Sequence, residues 1–301
     1  MSIVNNFLNL GGWDYSSKEI KRIQAMQPCK TIKAAQSMFS IVPKAKTTLL
    51  YQYLVEMIGS YPVRLQEIGD CVSHGMAGAV DVLLGVQNKL GTSLERWVSE
   101  TASEVIYALS RVEIGNRQLG NDDGSYGGWA AEAVKRYGTL CRQSYGNIDL
   151  TNYSGQRAKD WGYKGCPDEL EPIAKQHTVN TISRVTTSEE LITAITNGYP
   201  VTLACNVGFR TSRDKNGFSH PEGNWAHQQF IHGYRTDIEG FCIQNSWGPN
   251  WISGPKALEQ PDGSYWVTKK VMDWILKQDV ELWAISNFNG YKPQELSWRI
   301  I

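Results

Sequence analysis

The sequence predicts an α+β chain, helical in its first half and built on an antiparallel sheet in its second. Three observations predict it. Val72, Met76, Val80 and Leu83 recur at helical spacing, and so do Leu94, Trp97, Val105, Ile106 and Leu109. From Val201 onward the period changes to short β-branched and aromatic runs, parted by turn residues such as Asn224, Asp237, Gly240 and Asp262-Gly263. Helices first and strands later along one chain is the α+β pattern.

Taken in order, residues 1–47 hold two short helical candidates. One is capped by Ser17 and stops before Pro28, the other runs from Thr31 to Val42 before Pro43. This segment is read as an N-terminal packing extension at the surface, not as a plug of any cleft. Thr47 to Ile58 mixes β-branched and aromatic residues with Leu and Met, so strand and helix both remain open. Gly69 permits a sharp turn and Asp70 suits an N-cap, which places Cys71 in the first turn of a central helix. Gly75, Gly78 and Ala79 let other elements approach that helix closely. A second helix is expected over 93–112, and a third over Gly128–Tyr137 with Gly138 at C′. Residues 139–178 read as loops with a short helix after Pro167, and Ser188 caps a helix through Ile195. Strands are expected over Val201–Cys205, Gln228–Tyr234, Phe241–Asn245, Tyr265–Lys269 and Val280–Ser286, with a helix over Lys270–Lys277. The main domain is thus 48–301, mainly helical over 48–180 and mainly β over 181–290.

Charge and cysteine usage narrow the partners. Lys plus Arg number 30 and Asp plus Glu number 30 among 301 residues, with no long block of either sign. Nothing therefore argues for nucleic acid or a membrane surface, and a peptide-like partner stays open. The six cysteines are scattered without a C-x-x-C pair, which fits neither a disulfide framework nor a zinc ribbon. Free thiols in a reducing compartment, no metal and no cofactor are expected. The first residues lack a basic segment followed by an apolar run, so a cytoplasmic chain without a secretory signal is expected. The apolar run near Val80 is broken by Asp81, short of the ~20 residues a membrane span needs.

Chemistry concentrates at three positions. At a helix start, orphan N–H groups and the macrodipole favour a thiolate at Cys71 over a thiol. His227 lies in Trp225-Ala226-His227-Gln228-Gln229-Phe230, and Asn245 opens Asn245-Ser246-Trp247-Gly248. In the order Cys, His, Asn, with Gly124-Ser125-Tyr126-Gly127-Gly128 between, the chain resembles the papain-like cysteine peptidases. The resemblance covers about residues 60–285 and implies a two-lobe fold, a helical left lobe and an antiparallel β right lobe with a cleft between them. It implies Cys71 as nucleophile, His227 as general base and then acid, and Asn245 as the residue that orients the imidazole. Gln66 and the Cys71 N–H would form the oxyanion hole. Gly127 and Gly128 would lie along the substrate, and Trp247 would cover the asparagine and border the substrate path. A peptide or protein substrate would be hydrolysed through an acyl-enzyme.

Departures from the family are specific. Gln66 stands five residues before Cys71, where the family usually has six. Ile68 and Ser125 occupy the two positions of a family disulfide, and both halves are missing together. Trp251-Ile252 replaces Trp-Gly, with an insertion before Tyr265 that remodels the cleft rim. The Cys-to-His and Cys-to-Asn intervals exceed the roughly 130–150 residues of close relatives, which implies insertions. His74 reads as a hydrogen-bonded helix residue, and His232, an odd number of residues from His227, faces the other side of a regular strand. His177 and His220 lie in loop-like segments. A second reading makes the chain a papain-fold subunit, idle or active, that serves as a structural or interaction component of an oligomer or a large assembly such as a virus particle.

Overall fold

The computed structural model describes residues 10–14, 16–26, 46–92, 98–288, 291–292, 294 and 296, and its elements are those of an α+β protein. Helix α1 is Ser17–Met26. Its cap is Ser16, whose hydroxyl accepts the Glu19 N–H at 3.3 Å, whereas Ser17 Oγ donates to Asp279. The helix expected over 31–42 lies outside the described residues. The undecided stretch after Thr47 proves to be both things in turn. Thr48–Leu49 (β1) pairs with a sheet strand, and Leu50–Ile58 (α2) follows at once, closed by Gly59 at φ 85°.

Helix α3, Cys71–Lys89, is the axis of the molecule, buried on every side from Cys71 to Gln87. A helix buried all round needs small residues where partners cross it. A Cβ on Gly78 would lie 2.3 Å from the Phe230 ring. Helix α4, Ser103–Leu109, continues into one π turn, Ser110–Ile114. The helix expected over 93–112 thus begins late, and residues 93–97 lie outside the described residues. The reason is visible at Thr101, whose N–H and Oγ1 both donate to Asp81 Oδ1 at 2.8 Å while its backbone bridges to Cys141. Those bonds hold the chain extended until Ser103.

Helix α5, Gly127–Arg136, ends as expected at a left-handed Gly138. Besides α7 (Glu171–Ala174), the short helix expected after Pro167, the stretch expected as loops holds a hairpin, β2 (Ser144–Tyr145) and β3 (Ile148–Asp149), and helix α6 (Gly155–Lys164) capped by Ser154. Then come β4 (Thr181–Arg184), which the sequence did not signal, and α8 (Ser188–Thr196), capped by Thr187 and not Ser188. The remaining elements are β5 (Val201–Cys205), β6 (His227–Arg235), β7 (Gly240–Gln244), β8 (Ser264–Thr268), α9 (Lys269–Ile275) and β9 (Glu281–Ser286). Their order in the sheet is β4-β9-β5-β6-β7-β8, with β1 on β6 and every pairing antiparallel. The main core lies where α3 packs against β5 and β6, and a smaller one surrounds α4.

None of the five described cysteines is in a disulfide, and Cys29 lies outside the described residues. Where the family pattern would place a bridge, Ser125 Oγ hydrogen-bonds Ser110 Oγ at 3.0 Å. The helical lobe is tied instead by buried Glu104, which meets Arg142 at 3.1 Å and Arg157 at 2.8 Å. The melting temperature should therefore be the same with and without dithiothreitol. A fall of more than about 4 °C, about 2–3 kcal/mol at this size, would reveal a structural disulfide.

Candidate active site

Cys71 opens α3, His227 opens β6 and Asn245 follows β7; the Cys71 sulfur lies against the start of β6, at Gln228 N, and His227 meets Asn245. His227 Nε2 lies 2.7 Å from Asn245 Oδ1. Which atom carries the proton follows from a second bond. The Ser246 N–H donates to the same Oδ1 at 2.7 Å, so that atom is the oxygen and His227 Nε2 must be the donor. Nδ1 is then the basic nitrogen. The Trp247 ring lies over the imidazole, with centroids 4.4 Å apart and planes tilted by 33°.

The thiol is not presented to that nitrogen. Cys71 Sγ accepts the Gln228 N–H at 3.4 Å and the Gly12 N–H at 3.2 Å, and among the described residues His227 Nδ1 has no hydrogen-bond partner. Burial pushes the thiol up to about 12, the two amides offsetting it only in part. Burial also pulls the His227 imidazole down to about 4, against the bond to Asn245. Thiol and imidazole are both neutral near pH 7. The thiolate expected from the helix start is thus corrected, because desolvation outweighs the amides around the sulfur. Asp70 occupies the N-cap position without capping. Its carboxylate takes the Tyr153 hydroxyl at 2.9 Å and lies 3.4 Å from His74 Nε2. His74 is a hydrogen-bonded helix residue, as expected. His232 sits apart from the His227–Asn245 pair, its Nδ1 3.1 Å from the Tyr61 hydroxyl.

What covers the thiol is residues 10–14, which corrects the expectation that the N-terminal segment leaves the cleft open. The Gly12 carbonyl accepts the Ser125 N–H at 2.8 Å, and the Asp14 N–H donates to Ser125 O at 2.9 Å, a parallel bridge at Trp13. The Trp13 N–H donates to Ala226 O at 3.1 Å. Gln66 Nε2 donates to Leu10 O at 2.8 Å, and Gln66 Oε1 takes the Ser246 hydroxyl at 2.6 Å. The five-residue spacing therefore still delivers Gln66 to the cleft. A Cβ on Gly12 would lie 1.8 Å from Gly69 O, so only glycine fits.

Gly127 and Gly128 meet the covering strand's Trp13 on a shared carboxylate. Their N–H groups donate to the two oxygens of Glu281, at 2.9 and 2.8 Å, and the Trp13 indole N–H donates to the same carboxylate at 2.9 Å. The edge that pairs with the strand is Gly124-Ser125. Glu281 is buried, and burial raises its carboxyl. Sequence reasoning missed it, although one acid opening the apolar run Leu282-Trp283-Ala284-Ile285 was a signal. Among the described residues no group of His, Cys, Asp and Glu could hold a metal ion.

The fold is that of the papain-like cysteine proteases. Similar solved structures include xylellain, a cysteine protease from Xylella fastidiosa, 17% identical over 93% of this chain and 97% of that one, TM-score 0.56. Digestive procathepsin L 3 of Tenebrio molitor larval midgut is 14% identical over 94% and 79%, TM-score 0.55. ProCathepsin B S9 from Trypanosoma congolense is 10% identical over 93% and 87%, TM-score 0.56. No family model and no curated protein matches the sequence.

Proposed function

We propose that this chain, papain-like in fold, is a cysteine peptidase held latent by its own residues 10–14. The observation that carries the reading is the pairing of His227 Nε2 with Asn245 Oδ1 beside a thiol whose sulfur is capped by the Gly12 N–H. The Leu10 carbonyl already occupies the Gln66 amide, where a substrate's oxyanion would be held. Yet an amide nitrogen, and not a carbonyl carbon, faces Cys71 Sγ, so the covering strand is not poised for attack. Two of the similar structures carry the name of a pro-enzyme, procathepsin L 3 and proCathepsin B S9, which supports the latent reading.

Once the strand leaves, water and substrate relieve the desolvation that keeps the pair neutral. The thiol proton passes to His227 Nδ1, and the thiolate attacks the carbonyl carbon of a peptide. Gln66 Nε2 and the Cys71 N–H take the charge that develops on oxygen. The C–N bond breaks as Nδ1–H protonates the departing amine, leaving a thioester on Cys71. Water then adds to the thioester while Nδ1 takes its proton, and the thiol returns with release of the acid. Asn245 holds the imidazole in the tautomer this needs. The substrate class is a peptide or protein.

The test is peptide hydrolysis by a form whose strand has been displaced, as in Gly12→Val. In that background Cys71→Ala should abolish hydrolysis and His227→Ala should lower it at least about 10³-fold. Asn245→Ala should cost less, since it carries no proton, and the effects should not add. His220→Ala, on an exposed loop, should change little. Hydrolysis that survives Cys71→Ala would sink the assignment, as would a broad peptide set that leaves Cys71 unacylated.

A further inference from the structure

Across the adjacent strands β6, β5 and β9 the register sets Gln228, Ala204 and Glu281 side by side, with Ala204 paired to both. Paired residues of an antiparallel sheet point to the same face. The small Ala204 therefore leaves a notch between two long polar side chains whose backbones are about 10 Å apart. Trp13 fills that place. Its N–H is anchored at Ala226 O, just before the start of β6, and its indole N–H donates to Glu281 Oε2 at 2.9 Å, so the buried ring reaches from one end of the row to the other. The start of α5 borders the same place, with the Gly127 N–H on Glu281 Oε2 and the Gly128 N–H on Oε1.

Two acceptors converge there. A Cβ on Gly127 would lie 2.8 Å from Gln228 Oε1 and 3.3 Å from Glu281 Oε2, so both oxygens border one small space. Gln228 is buried, its Nε2 donates to Val72 O at 2.9 Å, and its Oε1 has no partner among the described residues. The Trp13 indole and the two glycine amides that donate to Glu281 are neutral, and they offset its burial only in part. A carboxylate offers about four acceptor positions, of which the glycines take one on each oxygen. An indole brings one N–H and no charge. A guanidinium brings five N–H groups in a planar fork and the positive charge that a buried carboxylate needs beside it.

We propose that the place held by Trp13 is a pocket for an arginine side chain, with Glu281 and Gln228 as its specificity-determining residues. The guanidinium fork lies on the two carboxylate oxygens and turns a remaining N–H to Gln228 Oε1, while the aliphatic stem covers Ala204. An apolar side chain leaves both acceptors dry, and an acidic one is repelled by them. Citrulline has the shape of arginine without its charge, and meets the carboxylate only as the neutral donors do. Tryptophan blocks the pocket without satisfying it. That the arginine belongs to a substrate rests on the peptidase reading; that the pocket takes a guanidinium does not.

The covering strand itself serves as the probe. In the full chain, Trp13→Arg puts a guanidinium into the pocket and Trp13→Met puts in an uncharged stem, while iodoacetamide labelling of Cys71 reads how often the strand leaves. Cys71 should label at least tenfold more slowly in Trp13→Arg than in Trp13→Met, and adding Glu281→Gln to each should erase the difference. Equal labelling of the two Trp13 variants overturns the pocket, a comparison that stands even where Glu281→Gln fails to fold. A difference that survives in folded Glu281→Gln chains overturns the role of Glu281. The substrate arm uses the Gly12→Val form and a peptide set in which arginine or citrulline occupies one position at a time. One position should favour arginine at least tenfold in kcat/KM. Hydrolysis without such a preference overturns the substrate assignment. No hydrolysis of any peptide is the failure of the peptidase reading, and the labelling then judges the pocket alone.

Discussion

Replacing Gly12 with valine should turn a covered, unreactive thiol into the fastest-reacting cysteine of the chain. The new Cβ would lie 1.8 Å from Gly69 O and 2.2 Å from Gly69 C, and both are backbone atoms at the foot of α3. No rotamer moves a Cβ, so the strand must leave or the helix start must shift. The strand is the weaker party, because it is held by a handful of hydrogen bonds while α3 is packed on all sides. In the wild type, brief iodoacetamide treatment near neutral pH should mark Cys141 before the other four described cysteines, which are buried. In Gly12→Val, Cys71 should label at least tenfold faster than in the wild type, with a rate profile shifted to lower pH as the thiol is rehydrated. Peptide mapping reads both. Cys71 staying protected in a folded Gly12→Val chain would mean that residues 10–14 are not what covers it.

Acid should destabilise the closed form steeply. His227 is pulled down to about 4 and His232 to about 3, each chiefly by burial, whereas in the unfolded chain both bind a proton near 6.5. For a folded pKa below the unfolded one, the stabilising difference is complete above the unfolded value and is lost as pH falls. Each histidine then withdraws about 1.4 kcal/mol per pH unit below 6.5, about 3 kcal/mol by pH 4. Glu104 adds to the loss: burial alone would raise its carboxyl, but Arg142 and Arg157 hold it low. Glu281, raised by burial, works in the opposite sense. Urea midpoints from pH 7 to pH 4 should fall strongly in the wild type, and His232→Gln should remove about half of the histidine share. A midpoint that does not move over this range would contradict the buried, neutral state of both rings.

Most elements were legible because their signals are local. The Val201–Cys205 strand is found at the residues expected, and Gly138 closes α5 as a C′ glycine must. His227 and Asn245, named from the resemblance, are hydrogen-bonded to each other. What stayed hidden depends on tertiary partners. Thr101 is held extended by Asp81, twenty residues back, and no propensity reports that. Helix α6 begins in Gly155-Gln156-Arg157, a polar stretch whose order comes from Ser154 and from Glu104 across the lobe. The state of the thiol was misread for a related reason. A helix start predicts a lowered pKa only if water reaches it, and the segment that keeps water away lies about sixty positions upstream.

The covering strand also sets an order of events during synthesis. Trp13 leaves the ribosome well before its indole partner, Glu281, which is made 268 residues later. At 5–20 residues per second, roughly 15 to 50 s pass before the last anchor exists. Ser125 and Ala226 arrive in between, so the closed cleft can be completed only after Glu281 has emerged. Meanwhile the waiting segment exposes unpaired backbone that could join another sheet edge. Leu10-Gly11-Gly12-Trp13 is short and carries two adjacent glycines, a composition that pairs poorly with anything but a ready-made groove.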